Sequence, residues 1–212
     1  MASRRTEIPP APILALVVLA MGVLVIAPGA LSGAVADAVM PLRFAVPEVA
    51  LLAPAAIAAL AVLAVWAFAR APRTGADRIV ATIALAAVPV AYLSSETLKS
   101  AFAEERPCQA AAVAAGCPGA GDWSFPSNHS TVAFALAASV ALVVSGWVAV
   151  TSAVLAVVAA SGRVLEGVHY PHDVAAGALV GIACVVLATR VAAAPARRWV
   201  GRLAERHRRR KA

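Results

Sequence analysis

Three short segments gather residue types that could do chemistry together. Lys99-Ser-Ala-Phe-Ala-Glu-Glu-Arg106-Pro107 holds two cations. Phe125-Pro126-Ser127-Asn128-His129-Ser130 puts an imidazole where a helix should open. Arg163-Val-Leu-Glu-Gly-Val-His169-Tyr-Pro-His-Asp173 adds a third cation, a second imidazole and a carboxylate. Lys99, Arg106 and Arg163 together call for an anionic counterion, and guanidinium forks match phosphate oxygens. Ser127 and Asn128 are good helix N-cap residues, and the free N–H groups of a first turn face an anion well. His169 and Asp173 are four apart, close enough to meet across one helical turn. A carboxylate on one ring nitrogen fixes the tautomer and leaves the other as a nucleophile. His129 is then a second imidazole, suited to general acid work on a leaving oxygen.

Each piece alone has an ordinary reading. Lys99 would serve as a snorkelling anchor at a helix end. Pro126 to His129 would be a plain helix start, and His169 with Asp173 a structural hydrogen bond. His172 reads as a surface residue beside the site, Glu104 and Glu105 as solvated loop charges, and Glu96 as a partner for Lys99. Order and spacing taken jointly are what point to a phosphoryl-handling site.

The elements that must position these segments are apolar. Of 212 residues, 62% are hydrophobic and 14% charged, and the mean hydropathy is +0.85. A soluble domain of this size has far more charge to spread over its surface. About six stretches are long enough to cross the hydrocarbon core, near 11–31, 48–69, 78–99, 127–147, 148–166 and 172–194. The expected fold class is therefore all-α: a polytopic membrane helix bundle of about six transmembrane helices. Residues 1–195 form the membrane domain and 196–212 a basic tail. Residues 100–126, broken by Pro107, Gly116, Pro118, Gly119, Gly121 and Pro126, form the one long outer loop. The first stretch follows Arg4 and Arg5 and has small residues after it, so a cleaved signal peptide competes with a retained span.

Charge sets the expected orientation. Nine of the 18 Lys and Arg lie from Arg190 onward. With Arg4, Arg5, Arg70, Arg73 and Arg78 they fall on one side of the bundle; Arg43, Lys99, Arg106 and Arg163 fall on the other. The bias predicts cytoplasmic termini, with the chemistry-bearing segments on the extracytoplasmic face of the cell membrane. The net charge of +7 reads as attraction to anionic lipid, not to nucleic acid, because no basic patch interleaved with aromatics accompanies it. Cys108 and Cys117 lie in the outer loop, where an oxidising compartment allows a disulfide; two free small apolar residues are the other reading. No His/Cys cluster of metal-ligand spacing is present.

The three segments resemble the phosphatidic-acid phosphatase type 2 superfamily, which also includes vanadium haloperoxidases. Its pattern is K-x6-R-P, then P-S-G-H, then S-R-x5-H-x3-D. Lys99 to Pro107 matches the first part, with Asn128 replacing the usual Gly in the second and Gly162 the usual Ser in the third. The resemblance implies roles. Lys99, Arg106 and Arg163 would hold the phosphoryl group, and Ser127 and Asn128 would add hydroxyl or backbone N–H donors. His169 would attack phosphorus to form a phosphohistidine, Asp173 would orient it, and His129 would protonate the leaving group and then activate water. The three cations take the place of a metal, so neither metal nor other cofactor is implied. Asn128 and Gly162 imply altered substrate preference with activity retained.

Phe-Pro-Ser-x-His-Ser with a polar x resembles the bacitracin-resistance type of undecaprenyl pyrophosphate phosphatases. The favoured substrate is accordingly a polyprenyl (undecaprenyl or decaprenyl) diphosphate, with phosphatidic acid or phosphatidylglycerol phosphate next. A reading from another class is an inactive lipid-binding or transport protein on the same scaffold. Haloperoxidase activity fits poorly, since those relatives are soluble.

Overall fold

A computed structural model describes residues 29–71, 76–113 and 116–209. Among these residues every regular element is helical. Helix α1 spans Gly29–Val39 and α2 Leu42–Ala45. A short 3-10 turn, Pro47–Leu51, leads into α3, Leu52–Arg70. Then follow α4 (Ala76–Phe102), α5 (Pro107–Ala110), α6 (Asn128–Ala141), α7 (Trp147–Leu165) and α8 (Pro171–Arg209).

Among the described residues, four helical stretches are long and apolar enough to cross a membrane: Pro47–Arg70, Asp77–Ala110, Trp147–Leu165 and Pro171–Trp199. Their outward faces carry large apolar side chains in the open, among them Val62, Val65, Leu93, Val154, Leu187 and Val191. In water such a surface would be untenable; in hydrocarbon it is ordinary. The chain is an integral membrane protein. The expected fourth span, 127–147, is realised as the 14-residue α6 and a following turn, about 21 Å of helix. Most of the expected first span, 11–31, lies outside the described residues; its last three residues belong to α1. Helix α8 runs through Pro195 to Arg209.

Small residues set how the helices meet. The core is mostly alanine, with Ala53, Ala56, Ala64, Ala133, Ala156 and Ala159 closing around Leu60 and Val140. Gly177 and Gly181 on α8 form a G-x-x-x-G face against α6. A Cβ at Gly177 would stand 2.4 Å from the Ser127 carbonyl oxygen, and one at Gly181 2.3 Å from that of Thr131. Such backbone-to-backbone approach is how membrane helices associate without a hydrophobic driving force. Gly162 on α7 does the same against α3, where a Cβ would lie 2.9 Å from that of Leu52. The Ser usual at this family position would therefore collide with α3.

The helix polarity follows. The end of α4, the start of α6, the end of α7 and the start of α8 share one face of the bundle, and α1 lies across it. Ser32 of α1 meets the His172 ring nitrogen Nδ1 at 2.8 Å, and Arg43 donates to the Glu166 carbonyl at 3.2 Å.

Candidate active site

At the end of α4, Ala103 takes a left-handed conformation (φ 49°), which turns the chain off the helix axis and back over Lys99. The loop that follows folds on the site. A disulfide joins Cys108 and Cys117, and the Gln109 amide donates to the Pro118 and Gly119 carbonyls, each at 3.0 Å. Residues 118–124 are thereby held over the two cations. Lys99 Nζ donates to the Trp123 carbonyl at 2.5 Å, and Arg106 Nε to that of Asp122 at 2.8 Å.

Lys99, Arg106 and Arg163 are all buried, at 5%, 3% and 9% exposure. Three buried cations on one face are costly unless counterions meet them. Asp122 serves two: its Oδ1 lies 2.8 Å from Arg106 and 3.4 Å from Lys99. Glu166 pairs with Arg163 three residues away. Burial pushes the Asp122 carboxyl up, but hydrogen bonding and charge from Arg106, with Lys99 behind, hold it below its ordinary value.

His169 is 1% exposed and stands beside Arg106. Arg106 donates to the Val168 carbonyl at 3.0 Å, and the same nitrogen lies 3.0 Å from His169 Nε2. A guanidinium only donates, so Nε2 accepts and the ring proton sits on Nδ1. That nitrogen faces Asp173 Oδ2 at 3.3 Å and Ser124 Oγ at 3.4 Å. Asp173, fully buried, accepts on Oδ2 from the Tyr170 backbone N–H at 2.7 Å and from the Ser124 hydroxyl. Burial first, then the charges of Arg106, Arg163 and Lys99, hold the His169 imidazole well below the usual histidine range. It is neutral near pH 7, with the lone pair of Nε2 turned toward the cations.

Ser127 is the N-cap of α6, yet its hydroxyl makes no cap hydrogen bond. Its backbone N–H donates to the Asp173 carbonyl at 3.0 Å, which locks the start of α6 to the start of α8. Ser127 Oγ and Arg163 Nε are buried without a hydrogen-bond partner. Orphaned buried donors are expensive. The Ser127 hydroxyl stands at the first-turn N–H groups of α6, which have no intrahelical acceptor. His129, half-buried on that turn, lies within electrostatic reach of Arg163, Arg106, Lys99 and His169.

The structure thus brings Lys99, Arg106, Ser127, His129, Arg163, His169 and Asp173 to one face. The Asn128 side chain has structural partners. Its amide donates to Glu96 and accepts from the Ser95 hydroxyl at 2.6 Å, so its side chain ties α6 to α4. Glu96 is accordingly spent on Asn128, and the direct partners of Lys99 are Asp122 and Trp123. Glu104 is no free loop charge: it meets His172 Nε2 at 2.9 Å. Glu104, His172 and Asp173 offer ligand-type atoms within 4.8 Å of one another, but both ring nitrogens of His172 are engaged, by Ser32 and Glu104. Sequence reasoning missed Ser124, whose signal is no more than a serine before a Phe-Pro turn, and gave Asp122 no role.

An all-helical membrane protein that gathers three buried cations and two imidazoles at its helix ends defines the class. The sequence model of the PAP2 superfamily matches residues 79–196, more than half of the chain, and the chain belongs to that superfamily. It is similar to the "Bacitracin transport permease protein BcrC" of Bacillus licheniformis, 43% identical over 63 residues. That match covers 29% of this chain and 30% of the relative's length. No solved structure matches the chain significantly.

Proposed function

We propose that the protein is a metal-independent lipid phosphatase that hydrolyses a polyprenyl diphosphate to the monophosphate and inorganic phosphate. One observation carries this reading: a neutral His169, its Nδ1–H held by Asp173, presents Nε2 among buried donors suited to phosphoryl oxygens. Binding of the terminal phosphoryl group draws Arg106 from Nε2 to an oxygen, and Nε2 then attacks phosphorus as the bond to the bridging oxygen breaks. The bound phosphoryl anion offsets the neighbouring cations and lets His129 hold a proton, and protonated His129 gives it to the leaving prenyl phosphate. In the second step His129 takes a proton from water, whose oxygen attacks the phosphohistidine and frees His169. Lys99, Arg106, Arg163 and the start of α6 bind charge that grows in both transition states, the largest usual source of rate.

The diphosphate preference rests on the Phe-Pro-Ser-Asn-His-Ser segment and on the similarity to the Bacillus relative. Phosphatidic acid and phosphatidylglycerol phosphate are the competing substrates. In this reading the bundle makes six passes in the cell membrane, with both termini cytoplasmic and the site outside. The short α6 is one pass, since it links the site face to the far end of α7. The relative's name, a transport permease, favours a second reading, in which the same scaffold transports its ligand without turnover.

Purified protein in detergent, offered the three lipids, separates these readings. Phosphate release is expected, fastest from the polyprenyl diphosphate, with His169→Ala slower by on the order of 10³-fold or more. Wild-type turnover in that variant, or no release from any lipid, defeats the phosphatase reading.

A further inference from the structure

Asp122 does more than neutralise charge. Its carboxylate side chain is 53% exposed, whereas its partners Arg106 and Lys99 are at 3% and 6%. The cations do not depend on it for their positions. Main-chain carbonyls of the same loop hold Arg106 Nε at 2.8 Å and Lys99 Nζ at 2.5 Å, and the Val168 carbonyl holds Arg106 NH1 at 3.0 Å. What the carboxylate takes is the remaining terminal nitrogen of Arg106, at 2.8 Å, and a longer contact to Lys99, at 3.4 Å. These are the donors a phosphoryl oxygen needs, because a guanidinium binds phosphate through its outer fork. Asp122 is anchored at its backbone and half in solvent at its tip.

We propose that the Asp122 carboxylate is an internal anion that competes for the phosphoryl-binding donors, so that phosphate enters and leaves by exchange with it. The proposal rests on the phosphatase reading for its meaning in turnover, but not for its binding test. The charges support it. With Asp122 and Glu166 ionised, the three cations retain a single net positive charge; with the Asp122 carboxylate displaced, two remain to meet a dianionic phosphoryl group. A site that kept all its charge exposed would hold inorganic phosphate, the product, and release it slowly. The competing carboxylate lowers affinity for bare phosphate, and the full lipid substrate offsets that loss through the rest of its contacts.

Asp122→Asn keeps an acceptor on the Arg106 donor and removes the charge. Two readouts are measured with inorganic phosphate at constant ionic strength: protection against thermal unfolding and competitive inhibition of lipid hydrolysis. In the variant, phosphate should bind about tenfold more tightly or better. KM should fall and kcat should not rise, while Asp122→Glu, which retains the charge, should stay near wild type. If Asp122 merely braced the cations, the Asn variant would bind phosphate more weakly. Weaker or unchanged phosphate binding therefore overturns the proposal. Absence of lipid hydrolysis in the wild type would defeat the phosphatase reading while the unfolding measurement still decided this one.

Discussion

His169 owes its readiness to three neighbours with different tasks. Arg106 dictates which nitrogen is bare, Asp173 accepts a hydrogen bond from the other, and Ser124 secures Asp173. The depressed histidine pKa has consequences of definite sign. Unfolded, His169 titrates near ~6.5; folded, it resists protonation to lower pH. Its contribution to stability is therefore complete above ~6.5 and is lost as pH falls through the folded value. The neutral nucleophile likewise persists below ~6.5. The acid limb of kcat/KM, corrected for ionisation of the substrate, is expected to have its midpoint below pH ~6.5. A midpoint above that value would mean that His169 is protonated more readily than a free imidazole, contrary to its burial among cations.

Helix contacts convert distant residues into one site. His129 belongs to α6 and His169 to the turn before α8; the spacing between them is set where Gly177 and Gly181 let α8 touch the α6 backbone. The Ser127 N–H to the Asp173 carbonyl, 3.0 Å, fastens the same two helix starts. Gly181→Ala lies a full turn deeper than Gly177, away from the site, and should cost about 1–3 kcal/mol of stability by overpacking. Gly177→Ala, which presses on Ser127, should also lower kcat, with KM less affected. Thermal unfolding in detergent and steady-state kinetics on the two variants check this. Unchanged stability in both would mean that α6 and α8 do not meet through these glycines.

The whole molecule is polarised. Arg43, Lys99, Arg106 and Arg163 share the site face, and Arg70 and Arg78 lie at the other end of α3 and α4, where each stacks on an aromatic ring, Trp66 and Phe68. Among the described residues, Arg70 and Arg78 thus lie at the end opposite the site, where positive charge retained on the cytoplasmic side would belong. A fluorescent protein fused after Ala212 should fold and fluoresce in the cytoplasm. Alkaline phosphatase inserted in the 111–119 loop should be active outside. The reverse pattern would invert the proposed topology.

Much of this was legible in the chain itself. Uninterrupted apolar stretches can be satisfied only as membrane helices, because hydrocarbon offers no partner for an open backbone; hence the helical class and the positions of α3, α4, α7 and α8. The spacing of Lys99 with Arg106, and of Arg163, His169 and Asp173, was equally plain, since each set lies within one short stretch of chain. Other features required tertiary structure. The Asn128 amide turns to Glu96, Ser124 reaches Asp173 across 49 positions, Asp122 sits on two cations, and Gly162 makes room for Leu52. These are contacts between helices, decided by which faces approach closely enough to touch. A linear pattern records the period of one helix and carries no measure of the distance to the next.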